Sequence, residues 1–308
     1  MTIRADSRSG ALAMGTVAMA SVGGSVAVSG VLADAPLFTV QAIRYAAASL
    51  LLLALARAVR VPIRMPRGAE WLCLLGVAAV GLVLFNVALV RGSEHAEPAA
   101  LGVAVACVPV VLALVGPLLE GGRPARGVLL AAVVVTAGAV LVQSGGRTDP
   151  AGLGWAATVL VCEVGFTLLA VPVLGRHGPW GVSVHTCWIA TAQLAVLAAA
   201  TEGTAAATTL RAPHVAAIAY LAVVLTAIAF VLWYSAVGRL GTALAGLLTG
   251  VAPVAAAAVG VLLGAPVPGP AVWAGTALVI TGLLIGVRPR PTRKKIAMLT
   301  TSSEGTMG

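Results

Sequence analysis

The chain has 308 residues, 60% hydrophobic and 9% charged, with a mean hydropathy of +1.04. Soluble domains carry charge on about a quarter of their residues, so a water-soluble fold is excluded. The net charge of +9 comes from 19 basic residues scattered singly between apolar stretches, and with no basic face a nucleic-acid partner is excluded as well.

Apolar segments of about 20 residues, enough to cross a hydrocarbon core of about 30 Å, predict ten helices between polar or Pro/Gly-rich breaks. Arg4 and Arg8 precede an apolar run from about Ala11 to Leu32 that reads as an uncleaved first helix, ended at Asp34-Ala-Pro36. The second, about Leu37 to Val59, carries Gln41, Arg44 and Tyr45. A basic link follows, then a third helix from about Glu70 to Val90 containing Asn86, and a fourth from Ala99 to Leu119. The fifth spans about Gly127 to Ser144, and Gly145 to Pro150 forms the joint between halves. Helix six, about Gly152 to Leu174, holds Glu163. Helix seven, about Pro179 to Ala200, holds His185, Trp188 and Gln193. The eighth, about His214 to Val237, ends near Trp233 and Tyr234. From Leu240 to Val287 no residue is charged, and Pro266-Val-Pro-Gly-Pro270 divides this stretch into helices nine and ten.

The fourth and ninth helices are one unit repeated 144 residues apart: AALGVAVACVPVVLALVGPLL from Ala99 and ALAGLLTGVAPVAAAAVGVLL from Ala243 share nine of 21 positions, Pro109 on Pro253 among them. A mid-helix proline costs about 3 kcal/mol, so a matched pair points to common construction. The halves are therefore two five-helix repeats, over 11–146 and 147–287, flanked by a segment over 1–10 and a basic tail over 288–308. An odd number of crossings per repeat inverts the second relative to the first. With the N-terminus inside, inner segments hold 15 basic residues and outer loops three, with Arg44 left within a span, which places both termini in the cytoplasm.

Inverted repeats commonly set a solute site near the midplane and reach alternating access by rocking. Pro109 and Pro253 fall halfway along their spans and each frees a carbonyl, so they are kink candidates bordering a pathway. Glu163 is the sharpest polar signal, since an acid at mid-span costs about 2.5 to 3.5 kcal/mol. It either carries a proton or touches solute, or is a protonated acid bonded to a neighbouring helix. The residue aligned with it in helix one is Val22, so any coupling is asymmetric. Gln41 and Arg44 share a face. Arg44 either receives a solute carboxylate, snorkels to the headgroups or pairs with Asp34. His185 and Trp188 share a face of helix seven and are pathway candidates, with a backbone carbonyl as the ordinary alternative partner of the histidine. Asn86, Gln193 and Tyr234 read as interhelical glue, Asn86 and Tyr234 also as pathway candidates, and Trp233 with Tyr234 as an aromatic belt. Glu120 and Arg123 read as a solvated loop pair, and Arg288 to Lys295 as an inside anchor at anionic lipid. Gly246-xxx-Gly250, Gly260-xxx-Gly264 and Gly282-xxx-Gly286 are close-packing faces. The cysteines Cys73, Cys107, Cys162 and Cys187 lack ligand spacing, so reduced thiols and no metal are expected.

Ten helices in two inverted repeats, Gln41-Ala-Ile-Arg44 early in helix two, and small-rich helices four and nine with central Pro-Val resemble the EamA-type transporters of the drug/metabolite transporter superfamily. The resemblance runs from about Ala11 to Val287; Glu120 matches the family's Gly-Glu closure of helix four, whereas Gly264-Ala265 closes helix nine without an acid. It implies a multi-pass carrier of the bacterial cytoplasmic membrane for small organic solutes such as amino acids, metabolites or drugs, often an exporter. No cofactor is called for, protons are a candidate coupling ion, and the oligomeric state is left open, a homodimer included. No GxxxxGK[ST] loop or HExxH occurs. The rival readings are a non-transporting scaffold or receptor, and an intramembrane enzyme.

Overall fold

The computed structural model describes residues 8–143, 146–264 and 267–287, so Arg4, Ser144, Gly145, Ala265, Pro266 and the Arg288 to Lys295 cluster lie outside the described residues. No strand occurs among the described residues, only an isolated antiparallel bridge between Ala96 and Thr148. Nine helices there are long and apolar enough to cross a membrane: α1 (Arg8–Gly30), α2 (Leu37–Ala58), α3 (Glu70–Ser93), α4 (Pro98–Leu119), α6 (Pro150–Leu168), α7 (Val171–Thr201), α8 (Ala212–Leu240), α9 (Thr242–Leu262) and α10 (Pro270–Val287). Between α4 and α6 lies the shorter apolar α5 (Arg126–Val142).

Two boundaries depart from the sequence reading. Helix α6 stops at Leu168 rather than Leu174, because Pro172 has no N–H to give the Leu168 carbonyl and instead opens the next helix, where proline is tolerated. The expected loop at Gly175 to Gly178 is thus helical as far as His177, and the bend falls at Gly178, whose φ of 64° suits a residue without Cβ. In α1, Ser21, Ser25 and Ser29 each donate to the carbonyl four residues back, a pattern that bends helices, and the helix breaks at Ser25.

Packing between the halves is reciprocal. Helix α1 lies on α8 and α9 as α6 lies on α3 and α4, while α2 meets α7, α4 meets α9 and α5 meets α10. These last three pairs join corresponding helices and run antiparallel. The first N–H groups of α2, at Phe38 and Thr39, both donate at 2.8 Å to Glu202 at the end of α7. Gly116 faces Thr242 while Gly246 faces Leu112, and Gly138 faces Gly275 while Val135 faces Gly282. The α5/α10 seam is backbone on backbone: a Cβ on either Gly138 or Gly275 would stand 2.6 Å from the other's carbonyl oxygen. Gly282 also meets backbone, at Val135 and Ala131, while Gly246, Gly250 and Gly286 each receive a side chain of a neighbouring helix; Gly264 does neither, having open space around it and a φ of 95° past the end of α9.

The largest apolar core joins α2, α3, α7 and α8 through Tyr45, Leu52, Leu74, Val77, Val182, Leu194 and Trp233. Leucines such as Leu50, Leu72 and Leu284 stand exposed on the outside, as a lipid-facing wall requires. The cysteines are free thiols.

Candidate functional site

Between the two repeats lies a cavity of about 150 Å³. The first half contributes Met19, Val22, Arg44, Tyr45, Gly81, Asn86 and Val108; the second contributes Glu163, Phe166, Leu225, Phe230, Trp233 and Thr249. Four irregular backbone segments bring these residues to the wall. Helices α3 and α8 widen into π turns over Val77–Leu84 and Leu221–Ile228, offset from one another by 221 minus 77, the same 144 residues that separate the aligned prolines. Each carries a wall residue at its centre, Gly81 and Leu225. Helix α4 is interrupted at Cys107, two residues before Pro109, and α9 tightens into a 3-10 turn over Leu248–Gly250, just before Pro253. The carbonyls these prolines leave without a donor belong to Val105 and Thr249, and Thr249 faces the cavity.

Arg44 is buried, 6% exposed, on the cavity wall. Its Nε donates to Thr226 Oγ1 at 2.9 Å, a terminal nitrogen donates to Gln41 Oε1 at 3.0 Å, and its charge lies 4.9 Å from the Tyr45 ring centroid. It neither snorkels nor meets Asp34, which is held instead by Arg211 and His214. No carboxylate pairs with it among the described residues, so the guanidinium keeps donors for an anion. Asn86 Nδ2 donates to Tyr45 Oη at 3.1 Å and to the Leu82 carbonyl at 2.6 Å, beside the widened turn. Glu163 lines the same cavity from the other repeat, and among the described residues its carboxyl has no hydrogen-bond partner. Opposite polar groups therefore come from opposite halves.

The remaining candidates fall elsewhere. His185 Nε2 bonds the Arg64 carbonyl at 2.8 Å, and Trp188 Nε1 donates to His185 Nδ1 at 3.0 Å, so both tie α7 to the link between α2 and α3. Tyr234 is fully buried, its hydroxyl donating to the Phe166 carbonyl at 3.2 Å, and Trp233 donates to Thr167 Oγ1. Neither belongs to an interfacial belt, because both face α6 inside the bundle. Tyr234 instead borders a second, wider hollow of about 540 Å³, with Glu120, Val171, Pro179 and Arg239, at the end where α4 and α8 finish. The rings of Phe166 and Tyr234, 5.2 Å apart, stand between hollow and cavity. Glu120 is no loop pair with Arg123: its Oε1 accepts the Thr242 N–H at 2.9 Å and caps α9 from the other repeat. Gln193 lies outside the cavity, with a buried Oε1 that has no partner.

Sequence reasoning missed the π turns, which contain no proline to announce them, and it missed Phe230 and Thr226. Repeat alignment could have found Phe230, which stands at the position of Asn86 shifted by 144 residues.

Apolar helices folded as reciprocal halves around a small polar cavity define a multi-pass membrane protein. Within that class the chain belongs to the EamA-like transporter family, matched over residues 8–144 and again over 150–288, and so to the drug/metabolite transporter superfamily. A solved crystal structure shares the fold at a TM-score of 0.76 and 21% identity, covering 91% of this chain and 97% of its own. No match was found among curated proteins.

Proposed function

We propose that the protein is a secondary transporter that exports a small organic solute across the bacterial cytoplasmic membrane by alternating access. All ten helices cross in this reading, α5 included, since its 17 residues reach about 25 Å at 1.5 Å each and it is paired along its length with α10. The excess of basic residues then puts both termini in the cytoplasm, and the antiparallel pairing of corresponding helices is the pairing that inverted repeats produce. The observation that carries the proposal is the cavity between the repeats, with an unpaired acid from one half and an arginine without a counter-ion from the other. Buried charges are retained at such depth where they meet solute or move protons. Arg44 and Asn86 supply donors for a carboxylate, Glu163 takes a proton or an amine, and Phe166, Phe230 and Trp233 offer apolar and aromatic surface. That set fits a small zwitterion such as an amino acid.

The test is counterflow of a mixed amino-acid and metabolite panel in proteoliposomes, wild type against Glu163→Gln, with and without a pH gradient. Exchange by the wild type, with only its pH dependence lost in the variant, makes Glu163 the proton site of an antiporter. Equal pH dependence in both proteins removes Glu163 from the coupling. No exchange of any solute by the wild type overturns the transport reading for this panel.

A further inference from the structure

Two clusters outside the cavity repeat one construction. Helices α3 and α8 open with Arg67-Gly-Ala-Glu70 and Arg211-Ala-Pro-His214, 144 residues apart. In each, the arginine backbone N–H donates to the side chain three residues on, Arg67 to Glu70 Oε2 at 2.7 Å and Arg211 to His214 Nδ1 at 3.3 Å. In each, that side chain then reaches residues preceding the main run of the second helix of the other repeat. Glu70 holds Arg176 and, at 3.1 Å, His177 Nε2. His214 Nε2 lies 3.2 Å from Asp34 Oδ1, whose other oxygen is held by Arg211. Acid and histidine have exchanged places between the clusters while the pairing has been kept. The clusters sit at opposite ends of the Pro179–Thr201 part of α7, about 35 Å apart at 1.5 Å per residue, because Asp34 precedes the α2 start that Glu202 caps.

We propose that these clusters are the two locks of the transport cycle, Glu70–His177–Arg176 closing one mouth of the cavity and Asp34–His214–Arg211 the other, released alternately. This rests on the transport reading above. Each joins the first turn of a helix with a π segment in the cavity wall to the opposite repeat, so a movement that parts the repeats at one end must break the cluster there. The locks are unequal. His177 is fully enclosed and the Glu70 side chain 22% exposed, whereas Asp34 and Arg211 are 61% and 65% exposed. Exposed ion pairs are weak, so the Asp34 end opens more readily. Glu70 faces no other charged groups than Arg176 and His177 among the described residues, with the His185 ring behind His177 at 5.4 Å.

The experiment uses full-length protein with Cys73, Cys107, Cys162 and Cys187 replaced by alanine and Thr249→Cys as a reporter in the cavity wall. A membrane-impermeant trimethylammonium methanethiosulfonate is applied to each face of oriented vesicles. Glu70→Gln is expected to raise labelling about tenfold from the Glu70 face and lower it from the other, and Asp34→Asn to raise labelling from its own face by about threefold. The exchange Glu70→His with His177→Glu copies the order found at the opposite end and is expected to return labelling to the starting rates. Unchanged labelling, an equal rise from both faces, or failure of the exchanged pair to restore the starting rates overturns the locks. The labelling needs no solute: side-specific changes in a protein that exchanges nothing leave the clusters as alternate closures of the cavity and remove only the transport cycle assigned to them.

Discussion

At the 144-residue offset, the π turns of α3 and α8 coincide and the prolines of α4 and α9 coincide, but the side chains on these frames diverge. Asn86 stands where the second repeat has Phe230. Gln41 and Arg44 stand where it has His185 and Trp188, and each pair makes the same bond between residues three apart, 3.0 Å long in both. Yet the first pair brings Arg44 to the cavity, with Gln41 as its support, and the second pins a link at the end of the bundle. Backbone irregularity has been kept in both halves, as a mechanism that works the halves alternately requires. Cavity chemistry has been divided between them, and in the transport reading proposed above a solute meets a different wall on each side.

The sharpest way to break this comparison is at the paired positions of α2 and α7. Arg44→Ala is expected to reduce solute counterflow about 100-fold, the scale of losing one partner of a buried charged contact, and Arg44→Lys to rescue little, since an ammonium cannot reproduce the fork. Trp188→Ala should cost far less, and equal losses at both positions would show that the halves share the chemistry too. Next in size is the α5/α10 seam. Gly138→Leu is expected to destabilise by about 1–3 kcal/mol through overpacking and to lower the melting temperature in detergent, whereas Gly154→Leu, with open space around it, should leave it in place. Pro109→Ala and Pro253→Ala sharpen the mechanical half of the comparison: both are expected to slow exchange by a few-fold and by similar factors, and a strong effect of one alone would make the pathway one-sided. The smallest effect is at the surface. Glu97 is held below its ordinary carboxylate range by its hydrogen bond from Arg147, then by the Arg147 backbone. A lowered value in the fold stabilises above the ordinary carboxylate range and is lost as pH falls through the lowered value. Glu97→Gln should therefore melt slightly below the wild type near neutrality, and the gap should close in acid.

Much of the fold was legible because crossing a membrane demands long apolar runs. Where proline changed the outcome, at Pro172, a run from Gly152 to Leu174 whose one charged residue is Glu163 concealed a helix end. The repeat was legible from Pro109 and Pro253, residues costly enough that coincidence is poor explanation. Glu163 and Arg44 stood out as charges in apolar spans, and the structure lines one cavity with both. What distinguishes Arg44 from Trp188, or Glu120 as a cap from a loop acid, depends on which helix of the other repeat lies opposite, and spacing within one helix carries no such information. The locks were hidden for the same reason, since each joins residues more than 100 positions apart.

The widened turns of α3 and α8 have a further consequence. A π turn holds one residue more than the α turns beside it. If that surplus passes along the helix by one position, the side chain it passes swings by about 100° around the axis, since an α-helix turns through 3.6 residues. The helix needs neither a hinge nor a break to do this, and its ends stay where they are. Asn86, two residues past one such turn, and Phe230, two past the other, can thus be dialled toward or away from the space between them.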